Sequence, residues 1–268
     1  MAATTQQNPA NQFVLEERDG NIVTLRLNRP DRLNALNVEL GRALVHALIR
    51  AGDDKGIAAI RIIGAGRGFC AGGDLELLRD LRKRKDSKEL ENLLVSGKEI
   101  CLVIAGMPKP VIAAVNGPAL GAGFVLTLCC DILLAADGAI FAMPEVDMGL
   151  AGGVKFLQRH LTPSKARRLL LTGQRIPAAE LYRLGVLEEC VPGDQLLATA
   201  TAIAREISSK SPLAIQMLKQ SFNTVETLTL RDGYRVEQEM AVKLGQSEDA
   251  REAKRAFLEK RKPVFTGR

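Results

Sequence analysis

The order of apolar and polar positions predicts strands that alternate with helices over the first two thirds of the chain. Residues 22–27 alternate apolar with polar side chains, and residues 57–63 form a second apolar segment of strand length. Between them, apolar residues recur at helical spacing from Asn34, the predicted N-cap, to about Arg50. The continuously apolar run Val111–Val115 is typical of a strand buried on both faces. This alternation continues to residue 190 and predicts an α/β domain.

Past residue 193 the pattern changes to helices without strands. Asp194 is the predicted cap of a helix that runs to about Ser208, Pro212 opens a second helix, and Ser247 starts a third. The chain is therefore divided into three parts: a flexible N-terminal arm (residues 1–12), an α/β core (13–193) and a C-terminal helical region (194–268).

Charge and composition exclude few function classes by themselves. The 268-residue chain has 37 basic against 31 acidic residues, a formal net charge of +6. This excess could serve nucleic acid, an anionic membrane or a phosphorylated cofactor, but a mixed, solvated surface is the better explanation, because net charge alone says little about partners. Aromatic residues amount to 4%, which leaves few side chains for stacking on exposed bases.

The cysteines, the histidines and the first residues bear on compartment and metal binding. Five cysteines without CxxC spacing, mostly in apolar runs, predict buried reduced thiols and hence a reducing, cytoplasmic location. The two histidines lack metal-like neighbours, which argues against a zinc site. The sequence shows no secretory leader and no apolar run of spanning length, so we expect no membrane association.

Glycine-rich turns after predicted strands carry the candidate chemistry. Neither Gly64-Ala65-Gly66 nor Gly121-Ala122-Gly123 completes the dinucleotide-binding pattern GxGxxG, and the chain contains no phosphate loop and no GxSxG elbow. Two segments remain, the first glycine loop (residues 69–74) and the second glycine loop (116–123). Each places small residues between a strand and a helix, where free backbone N–H groups can bind an anion. Two such loops could hold one developing oxyanion, although tight packing alone also explains each loop.

Several segments resemble the signature blocks of one family in their order and spacing. Residues 28–36, 69–75 and 110–123 are similar to blocks of the crotonase (enoyl-CoA hydratase/isomerase) superfamily. Further similarity covers 141–145, 171–173 and 257–262, so the resemblance extends over roughly residues 13–265. It implies a spiral of ββα units followed by C-terminal helices that assemble homotrimers or hexamers. It also implies an acyl-CoA thioester substrate, with coenzyme A as part of the substrate and no permanently bound cofactor or metal.

The resemblance also assigns roles to individual residues. It implies that the backbone N–H groups of Gly73 and Ala122 form an oxyanion hole for the thioester carbonyl, with Ala122 in place of the family's usual glycine. It further implies that Phe257 and Lys260 reach CoA bound in a neighbouring subunit. The remaining expected CoA contacts are Arg32, Leu33, Ala35, Ala71, Gly73, Asp74, Leu75 and Glu76.

The identity of two residues bears on the reaction. Hydratases of the family use two glutamates, which correspond here to Val125 and Glu145, so half of the water-activating pair is missing. A single glutamate at position 145 is what the 3-enoyl-CoA to 2-enoyl-CoA isomerases use. Residues 145–151 also resemble dienoyl-CoA isomerases, but the two additional catalytic aspartates of those enzymes would fall on Val125 and Gly153. Asp147 is the nearest spare carboxylate; it could act as a second acid, but a salt-bridged or solvated aspartate is the favoured interpretation.

Two alternatives stay open. Decarboxylation of a malonyl-type thioester needs the oxyanion hole more than a carboxylate pair. Some crotonase-fold proteins bind RNA, and residues 79–85 form a basic run. We interpret this run first as a solvated helix face and second as a neighbour of the CoA phosphates, with RNA binding a distant third.

Overall fold

The computed structural model of the chain describes residues 13–84 and 87–268. The predicted N-terminal arm (1–12) lies outside the described residues. The strands of the described part are β1 (Val14–Asp19), β2 (Ile22–Leu27), β3 (Ala59–Gly64), β4 (Val111–Val115), β5 (Ala119–Leu120), β6 (Ile132–Ala136), β7 (Ile140–Ala142), β8 (Ile176–Pro177) and β9 (Glu189–Val191).

The helices surround these strands and continue beyond them to the end of the chain. They are α1 (Val38–Asp53), α2 (Leu75–Arg84), α3 (Ser87–Gly106), α4 (Ala122–Cys129), α5 (Val154–His160), α6 (Pro163–Thr172), α7 (Ala178–Arg183), α8 (Leu196–Ser208), α9 (Pro212–Val225), α10 (Leu230–Gly245) and α11 (Glu248–Leu258). Short 3-10 helices span Pro30–Arg32 and Pro144–Met148. Within the described residues, no helix combines the length and the apolar character needed to cross a membrane.

A six-stranded sheet with strand order β1-β2-β3-β4-β6-β9 forms the core, and its strands are parallel except for the β1–β2 pair. The prediction of a doubly buried strand at Val111–Val115 is confirmed. Val111, Ala113 and Val115 belong to one hydrophobic cluster together with residues of α1. Ile112 and Ala114 belong to a second cluster with Leu196, Ala200 and Ala204 of α8 on the opposite face.

A small second sheet, ordered β5-β7-β8, positions the candidate site. Strand β5 pairs in parallel with β7, and the N–H of Gly121 donates to the carbonyl of Ala142 at 2.8 Å. Since α4 follows β5 and the 3-10 helix Pro144–Met148 follows β7, this pairing places the starts of both helices side by side.

The predicted N-cap at Asn34 is wrong, because α1 begins at Val38 and its cap is Asn37, whose side chain accepts from the N–H of Leu40 at 2.9 Å. Asn34 instead has a left-handed backbone with φ 57° and is fully buried. A residue in that conformation cannot continue into a helix, and asparagine tolerates it better than most residues.

Two further predictions from the pattern are corrected. The C-terminal region holds four helices in the described residues, not three, because α10 carries many polar side chains among its apolar ones and was not recognised. The cap of α8 is Gln195 rather than Asp194. Helix α8 packs on the core sheet and so belongs in space to the α/β core as much as to the helices that follow it. The division of the chain between residues 193 and 194 stays a prediction.

The first strand, β1, escaped the pattern analysis. It is an edge strand in which Val14 is fully buried while the charged residues after it are partly or fully exposed. Its register is supported across the antiparallel pair by Glu17, which accepts from Arg26 at 2.7 Å. A strand with one solvated edge and polar outward side chains shows little apolar alternation.

Candidate active site

The two glycine loops lie directly against each other. The N–H groups of Phe69 and Cys70 both donate to the carbonyl of Pro118 at 3.1 Å, and the N–H of Leu120 donates to the carbonyl of Cys70 at 2.9 Å. A Cβ on Gly123 would lie 2.0 Å from the same Cys70 oxygen, so only glycine fits there. These close approaches bring the ends of both loops into one small region.

Gly73 and Ala122 each present a main-chain N–H group in this region. Ala122 is the first residue of α4, where the N–H has no acceptor within the helix. A Cβ on Gly72, the residue before Gly73, would lie 3.5 Å from the nitrogen of Ala122, which shows how near the two loops come. Within the described residues, neither N–H donates to a protein acceptor. Two such donors can stabilise negative charge that develops on an oxygen between them.

Glu145 lies beside the start of α4. A Cβ on Gly121 would be 2.2 Å from its Oε1, so the absence of a side chain at Gly121 makes room for this carboxylate. Its Oε2 is buried and has no hydrogen-bond partner within the described residues. Burial raises the pKa of the Glu145 carboxyl, because desolvation disfavours its charged form. Glu145 is therefore a partly desolvated carboxyl next to the candidate oxyanion donors.

The other positions considered for acid–base chemistry place no buried carboxylate beside the glycine loops. Val125 is half-buried on α4, and its Cγ2 would lie 3.3 Å from a Cβ on Gly153. Asp147 is exposed, and its Oδ2 would lie 2.8 Å from a Cβ on Gly173, the C-cap residue of α6. Glu145 is thus the half-buried carboxyl of this group.

A turn over residues 29–36 holds several of the expected CoA contacts next to the first glycine loop. Asn34 organises this turn: its Oδ1 accepts from the N–H of Arg29 at 2.8 Å, and its Nδ2 donates to the carbonyls of Ala65 and Gly68 at 3.0 and 2.8 Å. Leu33 adopts a left-handed conformation with φ 48°. This role of Asn34 does not follow from the sequence, because an asparagine before an apolar helix also matches a helix cap.

Backbone and ionic contacts join this turn to the first glycine loop. The N–H of Leu36 donates to the carbonyl of Gly72 at 2.7 Å, and the N–H of Asp74 donates to the carbonyl of Leu36 at 2.9 Å. Arg29 pairs with Asp74 at 2.9 Å, and this pairing and the hydrogen bonds hold the pKa of the Asp74 carboxyl below its usual range despite burial. Arg32 pairs with Glu76 at 2.6 Å.

The expected CoA contacts thus fall into two groups. Eight of them lie in the turn, in the first glycine loop or at the start of α2: Arg32, Leu33, Ala35, Ala71, Gly73, Asp74, Leu75 and Glu76. Phe257 and Lys260 lie at the end of α11, where the Phe257 side chain is 83% exposed. None of the contacts described above involves these two residues.

An open, largely apolar cleft of about 460 Å³ lies between α2 and the segment that follows Glu145. Its lining residues are Leu75, Leu78, Arg79, Lys83, Met148 and Leu150. The cleft adjoins the candidate site through two of its lining residues. Leu78 Cδ1 would lie 3.3 Å from a Cβ on Gly73, and the N–H of Leu150 donates to the carbonyl of Glu145 at 2.8 Å. Sequence reasoning had missed Met148 and Leu150, although both closely follow Glu145.

Other reactive side chains take no visible part. Burial raises the pKa of the Cys70 thiol to about 12, so this cysteine is no nucleophile. His46 is exposed on α1, and Nε2 of His160 lies 3.0 Å from the carbonyl of Leu128. Among the residues that the structure describes, His, Cys, Asp and Glu form no group of three or more that could hold a metal ion.

The fold and the paired loops define an enzyme class. The model of the enoyl-CoA hydratase/isomerase family matches residues 17–268. The chain therefore belongs to the enoyl-CoA hydratase/isomerase family, within the crotonase superfamily, and is an enzyme of that family. The fold expected from the resemblance is confirmed.

Individual relatives resemble the chain over almost its whole length. A probable enoyl-CoA hydratase of Mycobacterium tuberculosis is 38% identical over 260 residues, 96% of this chain and 99% of the relative. The 1,2-epoxyphenylacetyl-CoA isomerase of Escherichia coli is 37% identical over 262 residues, with coverage of 96% and 99%. The crystal structure of a putative enoyl-CoA hydratase from Streptomyces coelicolor superposes with a TM-score of 0.90 at 29% identity, covering 100% of this chain and 98% of that one.

Proposed function

We propose that the chain moves the double bond of a 3-enoyl-CoA to the 2-position, with Glu145 as its single proton carrier. The observation that carries the proposal is the position of Glu145: a half-buried carboxylate against Gly121, one residue before the Ala122 N–H. Its raised pKa brings its proton affinity nearer to that of a neutral-pH general base.

The proposed reaction uses the site in two proton transfers. The thioester oxygen accepts hydrogen bonds from the N–H groups of Gly73 and Ala122. The Glu145 carboxylate removes a proton from C2, and the electron pair of that C–H bond forms a C1–C2 double bond while the carbonyl π pair moves onto the thioester oxygen. When the carbonyl re-forms, the C1–C2 pair becomes the C2–C3 double bond and the C3–C4 pair is free to bind a proton at C4. Glu145 then returns the proton to C4. Each well-placed N–H stabilises the charged intermediate by about 3 kcal/mol.

The side chain at position 125 favours isomerisation over hydration. Water addition needs a group that holds the water in place as well as one that transfers its proton. Val125 offers no polar atom, and it packs against the main hydrophobic cluster. A proton shuttle between two carbons of one substrate needs only a single carboxylate.

Hydration is the second candidate, and the relatives support it. The Mycobacterium tuberculosis relative is named a probable enoyl-CoA hydratase, whereas the similarly close Escherichia coli relative is named an isomerase. In this reaction Glu145 alone would have to activate the water molecule that adds to the double bond.

An ultraviolet assay of the purified protein separates the two reactions. We expect the conjugated enoyl-thioester absorbance to grow with 3-hexenoyl-CoA and to stay constant with crotonyl-CoA. Rapid loss of that absorbance from crotonyl-CoA would instead show that water is activated without a second glutamate, and hydration would replace isomerisation. No change with either substrate would contradict both and favour decarboxylation of a malonyl-type thioester.

We also propose that the chain assembles into a homotrimer or a hexamer through its C-terminal helices. Large apolar side chains are exposed there, among them Phe222 at 70%, Leu230 at 90% and Phe257 at 83%. Exposed large apolar side chains on three successive helices are what a subunit interface would cover. Light scattering is expected to give three or six times the 29.0 kDa mass of one chain. The mass of a single chain would contradict this assembly and the proposed reach of Phe257 and Lys260 to a neighbouring CoA.

A further inference from the structure

The cleft beside Glu145 has an unusual combination of apolar walls and cationic side chains. We propose that it binds an acyl group whose far end carries a carboxylate, with Arg79 and Lys83 as the residues that recognise this charge. The inference rests on the proposed function, because it assigns the acyl chain of the thioester to this cleft.

The position of the cleft assigns it to the acyl chain. Its inner walls are Leu78, which packs beside Gly73, and Leu150, whose N–H donates to the carbonyl of Glu145 at 2.8 Å. A thioester whose oxygen is bound by Gly73 and whose C2 faces Glu145 would extend its chain between these two walls. No residue of the turn over 29–36, where we expect CoA, is among those that line the cleft.

The geometry of α2 places both cations along the length of that chain. Leu75, Leu78, Arg79 and Lys83 follow helical spacing and share one face of α2. At a rise of 1.5 Å per residue, Arg79 lies about 6 Å and Lys83 about 12 Å along the helix from Leu75. The apolar contacts therefore come first, near the reacting carbons, and the positive charges come further out.

The charge of the cleft is unbalanced. None of its six described lining residues is acidic, whereas two are basic. The guanidinium of Arg79 approaches Asp80 at 3.3 Å, but that pair is exposed on both sides and such pairs hold each other weakly. A carboxylate at the end of an acyl chain would accept charge-assisted hydrogen bonds from Arg79 and Lys83, while a methyl group there would leave both cations without a ligand partner.

The test compares two saturated thioesters of equal chain length, adipyl-CoA and hexanoyl-CoA, by titration calorimetry. Neither can undergo isomerisation or hydration, so the measurement does not depend on which reaction the enzyme performs. We expect the wild type to bind adipyl-CoA about tenfold more tightly, in keeping with a charge-assisted contact. The double variant Arg79→Gln/Lys83→Gln should lose this preference and bind hexanoyl-CoA as the wild type does.

Two control variants make the result specific. Lys98→Gln removes one charge from an exposed position of the neighbouring α3 and should keep the preference. Arg79→Lys retains the positive charge and should keep most of it.

Three outcomes would overturn the inference. Equal affinity of the wild type for both thioesters would show that the cleft does not recognise charge. An equal loss of affinity for both in the double variant would show that Arg79 and Lys83 bind the CoA phosphates. Binding of neither thioester would overturn the proposed function as well, whereas tight binding of both without preference would leave that function intact.

Discussion

Replacement of Glu145 by Gln is expected to lower the turnover of 3-hexenoyl-CoA about a thousandfold, within the range for loss of a general acid–base group. Glutamine keeps the size of the side chain against Gly121 but cannot accept a proton from C2. We expect the turn and the glycine loops to bind the substrate, so KM should change little. The growth of the conjugated enoyl-thioester absorbance measures this effect, and retention of full turnover would refute the proposed role of Glu145.

The dependence of the rate on pH gives an independent measure of the same group. Glu145 acts as a base only when deprotonated, and burial raises its pKa. The rate should therefore fall as the pH drops through this raised pKa, at a higher pH than for an ordinary glutamate. Asp147→Asn, two residues further along and exposed, is the matched control and should retain both the rate and the acid limb. If the fall in rate at low pH moves to a different pH in Asp147→Asn, the general base would be Asp147 rather than Glu145.

Substitution of Gly72 by Ala is expected to reduce turnover about a hundredfold, the scale of losing one oxyanion donor. Its φ is 91°, where side chains are strained, and the new Cβ would lie 2.7 Å from the carbonyl oxygen of Leu120. The substitution would force the glycine loops apart and misplace the N–H groups of Gly73 and Ala122. Backbone strain should also lower the free energy of unfolding by about 1–3 kcal/mol.

Rate and stability must be measured together for this variant. The rate is taken well below the unfolding temperature, and chemical denaturation gives the stability. Gly97→Ala in α3 is the control, since a Cβ there meets nothing within 4 Å. It should leave the rate unchanged and, with a better helix former in place of glycine, should not destabilise the protein. If Gly72→Ala is destabilised but fully active per folded molecule, the separation of the two loops does not control catalysis.

The local pattern of apolar and polar residues was enough to predict those strands and helices that are buried on one face or on both, and with them the fold class. The doubly buried strand β4 and the helices opened by Pro212 and Ser247 follow from apolar continuity and from capping chemistry. The errors fall where tertiary contacts override local preference. Asn34 is bound by the backbone of Arg29 and by two distant carbonyls, those of Ala65 and Gly68, rather than by a helix end, and β1 is stabilised through pairing with β2.

The candidate site was only partly predictable for a related reason. The two glycine loops are recognisable because their residue types restrict the backbone locally. The lining of the cleft cannot be recognised in this way. Leu78 and Leu150 come from segments far apart in sequence, which the folded chain brings together near the β5–β7 pair. The burial of Glu145 likewise depends on Gly121, a neighbour that no spacing rule connects to it.

The donors that would hold the thioester oxygen belong to the main chain at Gly73 and Ala122, and this has an evolutionary consequence. Point substitutions outside the two glycine loops alter side chains but leave these peptide N–H groups in place, so activation of the thioester can be inherited unchanged while Val125, Glu145 and Asp147 diverge. Descendants of one ancestor can then acquire new reactions while they keep the same means of activating the thioester. Relatives named as a hydratase and as an isomerase, 38% and 37% identical to this chain, are what such a history would leave.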